Sequence, residues 1–174
     1  MSTGAGKLEA IAIAPAEGVA LESVDRAEAI AGRGLAGDRY ATEAGHFSDP
    51  LRRPDAVTLI AAEAIEGLNE DGVELSHAES RRNLLTRGVD VNALVGHRFR
   101  VGAVECQGIE LAEPCDYLQG LTRPGVLRGL VHRGGLRAAI LTDGEIAVGD
   151  EIADLGPAEG PAPTAAELAG EEAG

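Results

Sequence analysis

Apolar and polar positions alternate at short period along most of this chain. Leu8 to Ala14 alternates around Ile11 and Ile13, and Val57 to Ile60 is a short β-branched run; both are strand patterns. Arg98 to Leu111 reads as two strands broken near Gly102. Leu136 to Ile152 reads as a hairpin, two alternating runs joined by the favoured two-residue turn Asp143-Gly144. Helical spacing is confined to Ala61 to Asn69, with Ile65 and Leu68 on one face, Pro114 to Leu121, and Val126 to Val131. Strands without regular helical crossovers predict a mainly β fold: an antiparallel barrel or sandwich with a few short peripheral helices, not a doubly wound sheet. No internal repeat is visible.

These patterns predict one domain over 7–153, preceded by a flexible tail at 1–6. From Asp154 to Gly174 the chain is rich in Pro, Ala, Gly and Glu, with no basic residue and two leucines. Such a composition buries too little surface to offset its ordering entropy, so 154–174 is expected to be a disordered acidic tail.

Composition then removes several classes of function. The 174 residues carry 29 Asp plus Glu against 15 Lys plus Arg, a formal net charge of −14, which repels nucleic-acid phosphate. Aromatics are 2% with no Trp, so the core must be aliphatic and almost no stacking platform exists for single strands. No apolar run approaches the roughly 20 residues of a membrane span. Met1 to Gly6 shows no basic patch leading into an apolar stretch, so neither a secretory signal nor a membrane partner is expected. Two cysteines make no disulfide framework, and a reduced, cytoplasmic protein is the expectation. Lys7 is the only lysine and lies at the amino-terminal end, which argues against pyridoxal phosphate, whose chemistry needs a positioned amine.

Charge is also uneven. Between His77 and Arg137 nine arginines face six acidic residues, a positive island in a negative chain that suits an anionic ligand. Familiar motifs fail on context. Gly32-Arg33-Gly34-Leu35-Ala36-Gly37 matches G-x-G-x-x-G, but loop chemistry follows it instead of a helix, so its glycines are expected to serve a tight positive-φ connection. His77-x-Glu79 with Pro114-Cys115 partly matches a zinc deaminase pattern, yet Leu118 stands where the second cysteine ligand belongs. His97, His132, Cys106 and Cys115 show no zinc spacing, and there is no G-x-S-x-G elbow.

Four segments remain chemically suggestive. Cys115 follows Glu113-Pro114, and a proline at the first turn of a helix would put the thiol where free N–H groups and the dipole stabilise a thiolate. Cys106 shares a strand face with Val104 and reads as a small buried hydrophobe. Ser80-Arg81-Arg82-Asn83, read as a strand, sends its arginines to opposite faces, with Asn83 beside Arg81; guanidinium forks suit phosphate and carboxylate. His132-Arg133-Gly134-Gly135 offers a cation beside backbone able to approach a ligand, and in Gly37-Asp38-Arg39 the aspartate could orient the arginine.

Together these stretches resemble the MOSC family, named for the carboxy-terminal domain of molybdenum cofactor sulfurase. The matching segments are GRGLAGDRY (32–40), VTLIAAEAI (57–65), SRRNLLTRGVDVNALVGHRFRVG (80–102), LAEPCDYL (111–118) and VHRGGLRAAILTDGEIAVGDEI (131–152). The resemblance implies a MOSC-type β-barrel and an association with molybdenum cofactor (molybdopterin) or with sulfur carried on cysteine. The family's cysteine falls on Cys115, implied as catalytic thiolate and molybdenum ligand. Carried across, Arg82 and Asn83 would bind the ligand with Arg81 as a lesser partner, Arg133, Gly134 and Gly135 would cradle its phosphate, and Asp38 and Arg39 would support it. Small members of the family often carry another cysteine three residues before this one, where Ala112 stands here, which argues against an internal dithiol.

Two functions share that site. One is an oxidoreductase, molybdenum ligated by Cys115 reducing small N-hydroxylated substrates with electrons from a separate protein, since no flavin or iron–sulfur motif is present. The other is a non-catalytic carrier of persulfide or cofactor on Cys115, loaded by a sulfur-donor protein. A third reading leaves the cysteine inert and the arginines structural.

Overall fold

Leu8 and Ile11 of the first alternating run and Val57 and Leu59 of the second meet inside one barrel, which a computed structural model of the chain describes over residues 6–16, 19–38, 56–112, 122 and 125–163. The strands are β1 (Gly6–Ile13), β2 (Glu22–Val24), β3 (Arg26–Ile30), β4 (Gly34–Leu35), β5 (Val57–Ala61), β6 (Leu84–Arg87), β7 (His97–Val101), β8 (Val104–Leu111), β9 (Leu136–Ile140), β10 (Gly144–Ala147) and β11 (Glu151–Pro157). Three short helices, α1 (Ala62–Glu70), α2 (His77–Ser80) and α3 (Val126–Gly129), and a 3-10 turn at Val91–Leu94 complete the described elements. Seven strands close in the order β11-β7-β8-β9-β5-β6-β1, sealed by Gly6 opposite Ile152 and Lys7 opposite Glu151. The mainly β barrel with short peripheral helices is as the sequence predicts. Among the described residues no helix is long and apolar enough to cross a membrane.

Alternation explains the two layers. Leu59 points into the barrel with Leu84, Phe99, Val101, Leu136 and Ile140, while Ile60 points outward under Ala64, Ile65 and Leu68 of α1 and Val126 and Leu130 of the α3 region. β5 is therefore covered on both faces, which is why its run is so uniformly apolar. Among the described residues Phe99 is the largest fully buried side chain, and the core around it is aliphatic apart from Cys106.

Three expectations need correction. The barrel is not wholly antiparallel: β5 and β6 run parallel, Leu59 beside Leu84, because the chain between them crosses over through α1 and α2. The hairpin expected over 136–152 does not form. β9 is bonded on one edge to β5 and on the other to β8, leaving no edge for β10, which instead pairs with β3 in a separate three-stranded sheet. Asp143 of the expected turn accepts a hydrogen bond from Ala31 N at 2.8 Å and ties the two sheets together.

The third correction concerns the boundary at 153. β11 continues to Pro157, pairing Asp154 with Phe99 and Pro157 with His97 across one bulge. Ala158 N donates to Gly96 O at 2.8 Å and Gln107 Nε2 to Gly160 O at 2.9 Å, so the chain is held through Gly160. Main-chain bonding to β7 supplies this order, and it does not depend on apolar burial, since Leu155 is exposed. The amino-terminal strand starts at Gly6, within a residue of the expected boundary. The helix expected over Pro114 to Leu121 lies outside the described residues.

Candidate functional site

The segment Ser76 to Asn83 delivers three of the expected ligand residues, but not as a strand. Ser76 caps α2 through a reciprocal box with Glu79, and the helix ends at Arg81 in a left-handed conformation, φ 60°. The turn removes the two-face alternation, and both arginines are buried. Arg81 Nη1 donates to Val19 O at 2.9 Å. Arg82 extends to the far ends of β8 and β9, where Nη2 donates to Ala112 O and Nε to Gly134 O, each at 2.7 Å.

Asn83 is fully buried where β1, β5 and β6 meet. Its Oδ1 accepts from Thr58 N at 3.0 Å and from Thr58 Oγ1 at 3.2 Å, and its Nδ2 donates to Ala12 O at 3.1 Å. Thr58 was not singled out in the sequence; its signal is the one hydroxyl in the otherwise apolar run Val57 to Ala61. Asp38 is buried as well and accepts from Ala14 N at 3.0 Å. Gly32, Gly34 and Gly37 all have positive φ, as the tight connection requires. Arg39, the expected partner of Asp38, lies outside the described residues.

The loop before β9 is built by close backbone approach. A Cβ on Gly135 would lie 2.0 Å from Leu59 O, so only glycine fits, and Gly135 O accepts from Ala112 N at 2.8 Å. The glycines' approach is thus to β5, Ala112 and Arg82. Arg133 turns its guanidinium the other way, with Nη2 donating to Gly129 O at 2.6 Å and standing 3.8 Å from Asp71 at the end of α1. His132 holds a left-handed backbone, φ 61°, and its carbonyl accepts from Asn92 Nδ2 at 2.9 Å.

Beside this loop lies a cleft of about 390 Å³ whose lining includes Glu63, Gly88, Asp90, Asn92, His132 and Gly135. Glu63 accepts from Gly88 N at 2.9 Å and Asp90 from Ala93 N at 3.3 Å, so one oxygen of each carboxylate fixes the wall. Sequence reasoning missed the cleft because its walls come from three separated segments and share no spacing.

The two cysteines separate as expected only in part. Cys106 sits in the barrel opposite Phe99 and Ile140, and burial pushes its thiol up to about 12, which makes it inert. Cys115 lies outside the described residues. Among the described residues no group of three or more His, Cys, Asp or Glu could hold a metal. His77 is partly buried, its Nε2 has no partner among the described residues, and burial pulls its imidazole below the usual value despite opposing contacts with the Arg82 and Asn83 backbone.

Residues 43–153, more than half of the chain, match the MOSC domain family. No functionally curated protein matches the sequence. Among solved structures, the YuaD protein of Bacillus subtilis is similar with a TM-score of 0.71 at 18% identity, over 86% of this chain and 94% of that one. YiiM of Geobacillus stearothermophilus gives 0.68 at 13% identity, over 94% of this chain and 82% of that one. YiiM of Escherichia coli gives 0.60 at 18% identity, over 94% and 75%. At these identities the likeness shows the fold.

Proposed function

The chain belongs to the MOSC domain family, and on that premise we propose that it binds molybdenum cofactor with the Cys115 thiolate as the protein ligand to molybdenum. The observation that carries this reading is the junction at Ala112. Its N–H is bonded to Gly135 and its carbonyl to Arg82, so the chain is anchored three residues before Cys115. Covalent reach alone keeps the two residues within about 11 Å. A soft thiolate beside an arginine-rich stretch is a donor set that fits a soft metal carried by a phosphorylated organic group.

Within that reading Cys115 would hold the metal, and the arginine island between His77 and Arg137 attracts the anionic end. Asp38 and Asn83 keep the loops in place by accepting and donating main-chain hydrogen bonds. When bound, the cofactor supplies two-electron redox chemistry, and small N-hydroxylated molecules are the proposed substrate class, with electrons from a separate protein. The cleft beside Gly135 is the proposed approach for a molecule of that size.

Metal analysis tests the proposal directly. Protein produced where molybdenum cofactor is abundant is expected to carry near-stoichiometric molybdenum, lost in Cys115→Ser while the fold survives. Equal molybdenum in both proteins would remove Cys115 as ligand. A transferable sulfur on Cys115 without molybdenum would replace the reading with that of a sulfur carrier.

A further inference from the structure

We propose that the cleft between α1, the turn after β6 and the loop before β9 is a binding site for a small primary amine in its ammonium form. Three oxygen acceptors receive the ammonium, and the apolar lining receives its body. The inference deepens the proposed function by giving a charge and a shape to the molecules that approach there. It rests on that reading only for the amine's use as a substrate; binding itself is a property of the cleft.

The acceptors come from separate parts of the wall. Glu63 commits Oε2 to Gly88 N and Asp90 commits Oδ1 to Ala93 N, so each carboxylate is held in place. The second oxygen of each takes no hydrogen bond among the described residues. Asn92 commits Nδ2 to His132 O, which leaves its side-chain carbonyl as a third acceptor. The same bond pins His132 in its left-handed conformation at the edge of the cleft. Among the described residues no guanidinium is paired with this wall. Arg87 is bonded to Glu9 and Glu66. Arg133 borders the cleft, but its Nε and Nη2 both donate to Gly129 O beside Asp71. An ammonium carries three donors, one for each of these oxygens, and no acceptor. Ala61, Ala64, Val89 and Val91 supply the apolar lining, and about 390 Å³ suits a single small molecule. A phosphate would meet two like charges here, so the cleft does not suit the anion expected beside Arg133 and Gly135.

The test titrates benzylamine into the full, metal-free chain at about pH 7.5, where the amine is charged. The backbone amides of Gly88, Asn92 and Gly135 are followed by NMR, and a saturable shift is expected at the cleft. Glu63→Gln and Asp90→Asn keep an oxygen for the main-chain bond and lose the charge. Each is expected to weaken binding about fivefold. Glu145→Gln, an exposed charge on β10, is expected to leave it unchanged. That control separates the cleft from the general attraction of a chain with net charge −14. Benzyl alcohol has the same ring and no charge, and the wild type is expected to bind it about tenfold more weakly than the amine. Equal affinity for alcohol and amine, equal losses in all three variants, or shifts that never saturate would each overturn the proposal. Molybdenum does not enter the readout, so a failure here and a failure of the cofactor reading are told apart.

Discussion

His77 shows how a single ring can couple this site to acidity. Burial holds its imidazole below the usual value, against the opposing hydrogen bonds to the Arg82 and Asn83 backbone. Because the folded-state value is depressed, the unfolded chain takes up the proton first as pH falls. The stability tied to the neutral ring is thus complete above pH 6.5 and is lost as pH falls below that value toward the folded one. Urea midpoints measured at about pH 7.5 and about pH 5.5 are expected to fall further for the wild type than for His77→Gln. Parallel behaviour of the two proteins would show that the ring is not kept neutral. At this scale the residue types around Arg81 to Asn83 were legible in the sequence, but their geometry was not. Nothing in the letters Ser-Arg-Arg-Asn says that the helix before them ends in a left-handed arginine, and that one torsion decides where both guanidinium groups go.

Among the elements, β11 carries the clearest expectation. A chain ending at Ala153 loses the pairing of Asp154 to Pro157 with β7, the contact of His97 with Asp154, and the cover that Gly160 gives Gln107. A few backbone hydrogen bonds at about 1 kcal/mol each put the cost at roughly 3 kcal/mol. Urea unfolding of the truncated and full chains measures it, and equal midpoints would show that the segment adds nothing. Strands β1, β5, β7 and β8 were legible because alternation is a local property that one buried face imposes directly. Pairing is not local. Asp143-Gly144 is a sound hairpin signal, yet β9 already has two partners in the closed barrel, and the barrel overrules the turn. The acidic, proline-bearing stretch after Asp154 was misread for the opposite reason: a ladder bonds any backbone that can donate, whatever its side chains. Cys115 and Arg39 were legible only by residue type and family resemblance.

For the whole molecule, the net charge of −14 sets a self-repulsion that the fold must bear. The ion pairs that oppose it, such as Arg87 with Glu9 and Glu66, are solvent-exposed and individually weak. Raising sodium chloride from about 10 mM to about 0.3 M is therefore expected to raise the melting temperature, because screening relieves more repulsion than attraction. A fall in melting temperature would show that the exposed pairs outweigh the net charge. The same closure that gives the molecule its shape also orders its synthesis. Gly6 and Lys7 find Ile152 and Glu151 only after about 145 further residues have left the ribosome. Until then β7 and the Gly6–Lys7 end of β1 each present an unpaired edge to the cell, and the nascent barrel is an open, adhesive sheet.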